Sequence, residues 1–459
     1  MESSIYKILF FVFLFVLVCT KSITDKKYRR NKKYVSNPSS NEVIDFRQPS
    51  ESSPAKRIIV HIPEKEVFMS TIHPAGSLYE DVTDEREVKE CMDNLDTILE
   101  KKNIKLITVR SALKLNRRHL EEMAFESINY EIEENSEINK ESKEYQEFLK
   151  YVNDTYKYEV ISKLTNDQLV DVVLTNPIYK LKPSLINTLV ETTLVSYNPL
   201  GNLIFCRDQQ ITTAKGVVIG RAIASQRMRE HKIMKQVFEN LNIKILGSIT
   251  EEYNKNAYLE GGDFIPAREN LAMLGVGLRT TIEAAKYLME NDFLGTQYFA
   301  IIYDDEDLDQ QRMHLDTYFN ILNDDHVIVL DFDQVQNYYP DKKIGRKVYL
   351  YDNGADQSIE SDKSNIPRNS GKYKLIKIYD KFYDFLEEQN FKMIKVTHQQ
   401  QIDYLINFLN IGNNEVITVN DDLKDVAKES GISTTYLYFR PILNMYGAMH
   451  CITQVSRVD

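Results

Sequence analysis

Several residue types are scarce in this 459-residue chain, and each scarcity excludes a class of protein. It contains no tryptophan and only four cysteines, which are Cys19, Cys91, Cys206 and Cys451. Their spacing fits neither a metal cluster nor a disulfide scaffold. Basic residues are outnumbered, and the net charge of −11 argues against nucleic-acid binding. With 42% hydrophobic residues, the chain is long and apolar enough to form a large globular core. We expect the folded protein to have no nucleic-acid partner.

Long apolar runs are also missing, apart from one near the N-terminus. Residues 8–19, ILFFVFLFVLVC, are uniformly apolar but shorter than the about 20 residues that cross a bilayer. We therefore assign residues 1–20 to a signal peptide, with a short anchor as the alternative. The basic and polar residues 21–55 are predicted to be a disordered linker or a second targeting segment. The expected destination is the secretory pathway, followed by secretion or by routing to an organelle such as a plastid.

One local pattern recurs in residues 56–459, the predicted globular domain. An amphipathic helix is followed by Asn and a short apolar strand at 95–109, 235–249 and 383–396, and more loosely at 281–302. Repeated helix–strand units at irregular spacing indicate an α/β fold whose modules are arranged around an axis. Residues 111–195 are rich in Glu, Lys, Leu and Tyr, and they are predicted to be a helical insertion.

Four segments outside this insertion carry polar side chains at a predicted strand end or bend. They are GNLIFCRDQQ (201–210), YLEGGDF (258–264), MHLDT (313–317) and NMYGAMHCITQVSRVD (444–459). In the first, an apolar strand would end at Arg207 and Asp208. In the third, a strand would place His314 and Asp316 on one face, about 7 Å apart. Each segment alone also fits an ordinary role: a surface ion pair, a turn, a partly exposed histidine or a buried thiol.

The four segments together combine one cysteine, one histidine and several carboxylates. A thiolate nucleophile usually needs nearby positive charge, yet Cys451 would be surrounded by acids, which raise its pKa. A cationic substrate removes this conflict. Guanidinium is planar and always charged, and two carboxylates can accept its N–H groups. A histidine can then protonate the leaving amine and later activate water.

In their order along residues 56–459, these motifs resemble the guanidino-group-modifying superfamily, and most closely the arginine deiminases of anaerobic protists. The resemblance rests on NLIFCRDQQITTAKGVVIGR, LEGGDFIPA, LGVGLRT, RMHLDT and YGAMHCITQV. It implies a five-fold pseudosymmetric β/α propeller with a helical insertion in its first part. It also implies hydrolysis of L-arginine to citrulline and ammonia through a covalent amidino-cysteine, with no metal and no organic cofactor.

The resemblance implies a role for each matching residue. Cys451 would be the nucleophile and His314 the general acid and base, oriented by Glu260. Asp208 and Asp316 would hold the guanidinium group. The residues expected to bind the rest of the substrate are Asn202, Phe205, Arg227, Asp263 and Arg279, of which Arg227 and Arg279 match the positions that bind the substrate carboxylate.

Two features depart from the family pattern. Tyr446 stands where many relatives have a third arginine, and HCITQ around Cys451 resembles agmatine deiminases, whose substrate lacks a carboxylate. An agmatine deiminase or an amidinotransferase of the same superfamily therefore stays an alternative, as does an arginine-binding protein without turnover. The expected partner is a small-molecule substrate, L-arginine, and the expected assembly is a homo-oligomer.

Overall fold

The computed structural model describes residues 43–133, 141, 143–183 and 190–459. The predicted signal peptide and residues 21–42 of the predicted linker lie outside the described residues. Within the described ranges, no helix is both long enough and apolar enough to cross a membrane.

The described residues form 21 strands, many of them short. In chain order they are β1 (Arg57–Val60), β2 (Lys105–Thr108), β3 (Asn129–Ile132), β4 (Pro177–Pro183), β5 (Val190–Tyr197), β6 (Gln210–Thr212), β7 (Val217–Ile219), β8 (Ile245–Ser248), β9 (Phe264–Arg268), β10 (Leu271–Val276), β11 (Tyr298–Tyr303), β12 (Phe319–Ile321), β13 (His326–Leu330), β14 (Lys347–Asp352), β15 (Asn369–Ser370), β16 (Tyr373–Tyr379), β17 (Lys392–Val396), β18 (Leu409–Gly412), β19 (Glu415–Thr418), β20 (Ser433–Tyr436) and β21 (Gln454–Ser456).

Fourteen α-helices and one π-helical turn lie between these strands in the described ranges. The α-helices are α1 (Lys65–Thr71), α2 (Glu85–Lys101), α3 (Val109–Leu113), α4 (Arg117–Ser127), α5 (Lys143–Lys150), α6 (Lys157–Lys163), α7 (Asn166–Thr175), α8 (Met228–Asn240), α9 (Ile282–Glu290), α10 (Phe332–Tyr338), α11 (Phe382–Glu388), α12 (His398–Ile402), α13 (Leu423–Val426) and α14 (Arg440–Leu443). The π-helical turn is Tyr151–Tyr156.

Five sheets outside the predicted insertion share one pairing pattern, which the sheet β3-β4-β5 inside the insertion also has. In each, a middle strand has one antiparallel and one parallel neighbour. In strand order the five are β21-β1-β2, β6-β7-β8, β9-β10-β11, β12-β13-β17 and β18-β19-β20. The third of them continues through β14 and β16 to β15, which makes six strands. The fold is therefore a mixed α/β fold that uses one pairing pattern five times outside the insertion and once within it.

The predicted helix–Asn–strand units are confirmed. After α2, α8 and α11, an asparagine in the left-handed region ends the helix: Asn103, Asn242 and Asn390, with φ of 58°, 54° and 58°. After α9 this position is Asp292, with φ of 53°. In all four units the following residue donates its N–H back to the helix. Asn and Asp tolerate this conformation, so the chain reverses sharply into the next parallel strand.

The predicted insertion contains a sheet as well as helices. Helices α4 and α7 pack with α8 around Leu120, Val173 and Phe238. Between and after the helices, β3, β4 and β5 form a separate three-stranded sheet, which composition alone did not predict. Its strands are exposed on much of their surface, so they lack the continuous apolar run that would have marked them.

The disordered-linker prediction is wrong for residues 43–55. Phe46 is 2% exposed, and its ring packs edge-on against Phe238 at 5.8 Å between centroids. The backbone N–H of Glu51 donates to the carbonyl of Pro266. Several polar side chains of this segment are buried in contacts with the rest of the domain, so its polar composition does not mean that it is exposed to solvent. The folded domain therefore begins before residue 56.

Two predicted strands are also wrong. Residues Gly201–Ile204 form a 3₁₀ turn ahead of Arg207 and Asp208, and Leu315–Thr317 form another directly after His314. Short apolar runs fit a buried turn as well as a strand. By contrast, the bend predicted within YLEGGDF (258–264) is present as the 3₁₀ turn Gly261–Asp263.

Candidate active site

The four polar segments meet beside one cleft. The cleft encloses about 510 Å³ including its open mouth, and Cys451 lies in its wall, together with Glu80, Gln310, Tyr404, Tyr446 and Gly447. Backbone contacts join the segments: Arg207 N–H donates to the Cys451 carbonyl, and Gly261 N–H donates to the Asp208 carbonyl. Residues far apart in sequence are therefore fixed around one thiol.

The Cys451 thiol is held by Asn407. The side-chain N–H of Asn407 donates to Sγ at 3.1 Å, and its Oδ1 accepts the backbone N–H groups of His450 and Cys451 at 3.1 and 3.3 Å. Burial raises the pKa of Cys451 well above its usual value, and the carboxylates of Asp316 and Asp208 raise it further. The thiol is therefore protonated at neutral pH unless a cation enters the site.

Asp316 lies next to the thiol. Its Oδ2 is 3.7 Å from Sγ of Cys451 and 2.7 Å from Nδ1 of His450. Burial raises the pKa of Asp316, but the hydrogen bond and charge of His450 outweigh it and lower the pKa below its usual value. The other oxygen, Oδ1, is buried without a hydrogen-bond partner. Asp316 is therefore an ionised carboxylate with one free acceptor.

His314 pairs with Glu260, as the sequence predicted. The two side chains are 1% exposed, and Nε2 of His314 lies 2.9 Å from Oε2 of Glu260. Burial lowers the pKa of His314, but Asp208 and Glu260 outweigh it and raise the pKa to about 9. Burial raises the pKa of Glu260, but His314 lowers it to about 2. At neutral pH the pair is an imidazolium and a carboxylate, and Nδ1 of His314 has no hydrogen-bond partner.

Asp208 is also hydrogen-bonded at one oxygen only. Its Oδ2 accepts from Nη1 of Arg227 at 2.8 Å, and its Oδ1 has no hydrogen-bond partner and lies 4.0 Å from Nδ1 of His314. Arg227 also pairs with Glu230 at 2.9 Å and is 6% exposed. Arg227 is therefore engaged with the two acids, and in this structure its guanidinium holds Asp208 where the sequence predicted that it would hold a substrate carboxylate.

Gly262 packs directly against two of the atoms without hydrogen-bond partners, Nδ1 of His314 and Oδ1 of Asp316. A Cβ at this position would lie 2.6 Å from Nδ1 of His314 and 3.1 Å from Oδ1 of Asp316. Real Cβ atoms do not approach other atoms at the first distance, so a side chain here would displace the histidine or fill the space beside it. The glycine is required for the close approach of the bend to both residues.

Asp263 lies behind the site and supports it. Its Oδ1 accepts the backbone N–H of Leu315 at 3.0 Å, between His314 and Asp316. It lines a separate, smaller cavity together with Arg312 and Tyr318. Burial raises the pKa of Asp263 to about 7. In this structure Asp263 thus positions the turn at Leu315, and its substrate-binding role stays a prediction.

The other predicted substrate-binding residues surround the cleft. Nη2 of Arg279 donates to Oε1 of Gln310, which lines the cleft, at 2.9 Å. Asn202 donates to the Ser77 carbonyl at 2.8 Å. Phe205 packs behind the cleft wall, where a Cβ on Gly447 would lie 2.3 Å from its ring. Arg279 is thus the predicted carboxylate-binding residue that reaches the cleft side.

Comparison with known proteins agrees with this geometry. The sequence profile of the arginine deiminase family matches residues 75–457, which is most of the chain. This chain belongs to the arginine deiminase family.

Three proteins that are similar in sequence to this chain are named arginine deiminase. The one from Pediococcus pentosaceus is 27% identical over 172 residues, which cover 37% of this chain and 42% of that protein. The one from Halobacterium salinarum is 26% identical over 330 residues, covering 56% of this chain and 65% of that protein. Arginine deiminase 1 of Staphylococcus epidermidis is 26% identical over 297 residues, covering 61% and 67%. The chain thus spans less than two thirds of the length of the first two.

Two solved structures are similar to this family member at lower identity. The adduct of dimethylarginine dimethylaminohydrolase with 4-chloro-2-hydroxymethylpyridine is 12% identical, with a TM-score of 0.46 over 87% of this chain and 99% of that one. The N-terminal domain of ArgZ, an arginine dihydrolase from Cyanobacteria, is 17% identical, with a TM-score of 0.40 over 61% of this chain and 79% of that one.

Asp208, Glu260 and His314 lie close together but do not suit a metal ion as its ligands. Asp208, Glu260 and His314 each place a ligand atom within 4.8 Å of the others, which is close enough to share an ion. Metal binding requires a neutral imidazole with a free lone pair. His314 instead pairs with Glu260, and its raised pKa keeps the ring protonated at neutral pH. These three groups are therefore better suited to a substrate cation and a proton.

Three side chains of the site were missed by the sequence interpretation. Asn407, His450 and Glu230 are buried, and each contacts a predicted residue: Cys451, Asp316 or Arg227. His450 adjoins Cys451 in sequence, but its contact with Asp316 joins residues 134 positions apart. The one available signal for Asn407 was a polar residue inside the apolar run 405–411.

Proposed function

We propose that this protein is an L-arginine deiminase that hydrolyses arginine to citrulline and ammonia through an amidino-cysteine. The observation that carries the proposal is a group of three buried polar atoms without hydrogen-bond partners: Oδ1 of Asp208, Oδ1 of Asp316 and Nδ1 of His314. Buried polar atoms are normally satisfied, so an unpaired group beside a thiol suits a ligand. Two carboxylate acceptors suit the N–H groups of guanidinium. Membership of the arginine deiminase family supports the same substrate.

Substrate binding activates the nucleophile in this proposal. Burial and two acids oppose ionisation of Cys451 in the free enzyme. A bound guanidinium brings a positive charge to Asp208 and Asp316, and it therefore favours the thiolate. Asn407 stabilises the thiolate further, since its N–H already donates to Sγ. The thiol is thus activated by the substrate that it attacks.

The reaction then proceeds in two stages. Sγ bonds to the guanidinium carbon, and the resulting tetrahedral species expels ammonia after the leaving nitrogen takes a proton from His314. This leaves an amidino group bonded to Sγ. His314, now neutral, removes a proton from water, and the hydroxide attacks the same carbon. The C–S bond breaks as the new hydroxyl group loses its proton, which passes through solvent to the expelled ammonia, and this releases neutral citrulline and ammonium and regenerates the thiolate. Glu260 stabilises the imidazolium in both stages.

The α-carboxylate of arginine is assigned to Arg279. Arg279 reaches the cleft side through Gln310, whereas Arg227 is engaged by Asp208 and Glu230. Agmatine is the second candidate substrate, favoured by Glu80. This acid lines the cleft, and a carboxylate there suits an amine end better than a carboxylate end. The two substrates share the guanidinium group and differ at this outer end.

The proposal also covers the propeller fold, the oligomeric state and the cellular location of the enzyme. Outside the insertion, five sheets have the same pairing pattern and are linked by repeated helix–strand units, which supports a five-fold β/α propeller with the cleft near its axis. A homo-oligomer and entry into the secretory pathway are also proposed. Entry into that pathway rests on the apolar residues 8–19. Fluorescent tagging of the full chain tests it: a diffuse cytosolic signal would contradict the proposed route.

The activity is tested by assaying the purified protein with arginine and with agmatine in parallel. The expected result is equimolar citrulline and ammonia from arginine, and a smaller kcat/KM for agmatine. Preference for agmatine would select the second candidate. Product that appears only when an amine acceptor is added would indicate an amidinotransferase. Arginine binding by calorimetry with no turnover would indicate a protein that binds arginine without acting on it.

A further inference from the structure

We propose that Glu51 positions Asp316 through His450. Nδ1 of His450 lies 2.7 Å from Oδ2 of Asp316, and Nε2 of the same ring lies 3.5 Å from Oε1 of Glu51. All three side chains are completely buried. This inference rests on the proposed function, because it assigns Asp316 to the guanidinium group. Glu51 would be a positioning residue, since it does not line the cleft.

The contacts fix the ring on both sides. Each nitrogen of His450 faces a carboxylate: Nδ1 lies within hydrogen-bond distance of Asp316, whereas Nε2 has no hydrogen-bond partner and makes only the 3.5 Å contact with Glu51. Two cations also face this group: Nη2 of Arg457 lies 3.0 Å from Oε1 of Glu51, and Nε of Arg207 donates to the His450 carbonyl at 3.2 Å. Glu51, Asp316, Arg457 and Arg207 are thus the charges around His450. The contact of Glu51 with Nε2 holds the ring so that Nδ1, on its other side, is directed at Asp316.

The orientation of Asp316 follows from this donation. While His450 holds Oδ2, the free Oδ1 faces His314 across Gly262 and is available to substrate. If His450 stops donating, Oδ2 keeps only its 3.7 Å contact with the Cys451 thiol. The carboxylate can then rotate toward Sγ. The expected consequences are weaker guanidinium binding and a less reactive thiol.

Substitutions of Glu51 separate charge from packing. Glu51→Gln preserves shape and removes the charge, whereas Glu51→Asp preserves the charge and shortens the side chain. We expect Glu51→Gln to lower kcat/KM by about tenfold, partly through KM, and Glu51→Asp to lower it less. Cys451 alkylation by iodoacetamide without substrate should be slower in Glu51→Gln than in wild type. A packing role predicts the opposite order, with Gln tolerated better than Asp.

Glu66→Gln is the matched control. Glu66 is also completely buried, and it pairs with a histidine and an arginine: His61 at 2.7 Å and Arg110 at 3.7 Å. We expect it to lose a similar amount of thermal stability but to keep the wild-type kcat/KM. The double variant Glu51→Gln/Arg457→Met also removes the cation that Glu51→Gln leaves without its ion-pair partner, so stability should recover while kcat/KM stays low. Recovery of both together would overturn the positioning role.

The outcomes separate this inference from the proposed function. If wild type releases citrulline and both Glu51 variants match it, the inference is overturned and the deiminase proposal stands. If wild type releases no citrulline, the deiminase proposal fails, and the alkylation rates still report on Asp316. Equal alkylation rates in wild type, Glu51→Gln and Glu66→Gln would then overturn the inference too.

Discussion

Asn407 donates an amide N–H to Sγ of Cys451 at 3.1 Å and holds the backbone of the same residue through its carbonyl oxygen. One side chain thus fixes both the position of the nucleophile and the donor that faces its developing negative charge. Asn407 is 3% exposed, so water does not readily replace that donor.

Asn407→Asp tests this relationship. The variant exchanges the donor for an acceptor and adds a negative charge near a thiol whose pKa is already raised by burial and two acids. Losing a hydrogen bond to a charged group costs about 1.5 to 3 kcal/mol, so kcat/KM should fall about 10- to 150-fold. The rate of Cys451 alkylation as a function of pH checks the cause. Unchanged alkylation would show that Asn407 does not act on the thiol.

Cys451→Ala is expected to abolish citrulline formation and to leave the thermal unfolding curve close to that of wild type. Rapid quench and mass spectrometry of the wild-type enzyme should find an amidino group on the peptide that contains Cys451. Cys206→Ala is the control, since Cys206 is another completely buried free thiol. It should keep full activity. Turnover by the Cys451→Ala protein would end the covalent mechanism.

Asp208→Asn and Asp316→Asn should each lower kcat/KM strongly. An amide keeps one acceptor and presents N–H groups to the N–H groups of guanidinium, at a cost of about 2 to 3 kcal/mol, or about 30- to 150-fold. Asp171→Asn provides a comparison. Like Asp208, Asp171 pairs with an arginine, in this case Arg110, but it does not line the cleft. A retained activity above about one tenth of wild type in either site variant would remove that residue from guanidinium binding.

Arg279→Ala tests substrate selection. If Arg279 binds the α-carboxylate, its loss should reduce kcat/KM for arginine by about 10- to 150-fold and leave agmatine turnover nearly unchanged. The ratio of the two kcat/KM values in wild type and variant is the measurement. Equal losses on both substrates would mean that Arg279 only supports Gln310 and the cleft wall.

The pH dependence of stability should report His314. Its pKa rises from 6.5 to about 9 in the folded protein, because Asp208 and Glu260 outweigh burial. The folded state therefore binds more protons than the unfolded state between these values. The contribution of His314 is fully present below about pH 6.5 and is lost as the pH rises through about 9. Urea denaturation across this range should show that decline in wild type and a smaller decline in His314→Gln.

The local units of the fold are predictable from sequence, and the contacts between them are less so. A helix stripe, an asparagine and an apolar strand each leave a local signal, so the units ending at Asn103, Asn242 and Asn390 were found. The 3₁₀ turns around Asp208 and His314 were predicted as strands, because a short buried run has no period long enough to decide.

Site chemistry was predictable where residue type is informative. A thiol surrounded by acids is chemically unusual, and it indicated a cationic substrate. The same combination of residue types indicated the roles of Cys451 and His314. Asn407 left only the weak signal of a polar residue in an apolar run, and Glu51 left none, because the role of a buried amide or acid is recognisable only from its partners. Segment 43–55 was misjudged for the same reason: its polar side chains are satisfied by residues as distant as Arg457.

The antiparallel pairing of β1 with β21 has a consequence for biosynthesis. Strand β1 is made early, but its partner at Gln454–Ser456, three residues after Cys451, leaves the ribosome only after nearly all other described strands have been made. A nascent chain can therefore build most of its sheets and still have no nucleophile in place. Activity should appear in one step, when the late strand docks on the early one, and partly synthesised chains should be inert toward arginine in the cell.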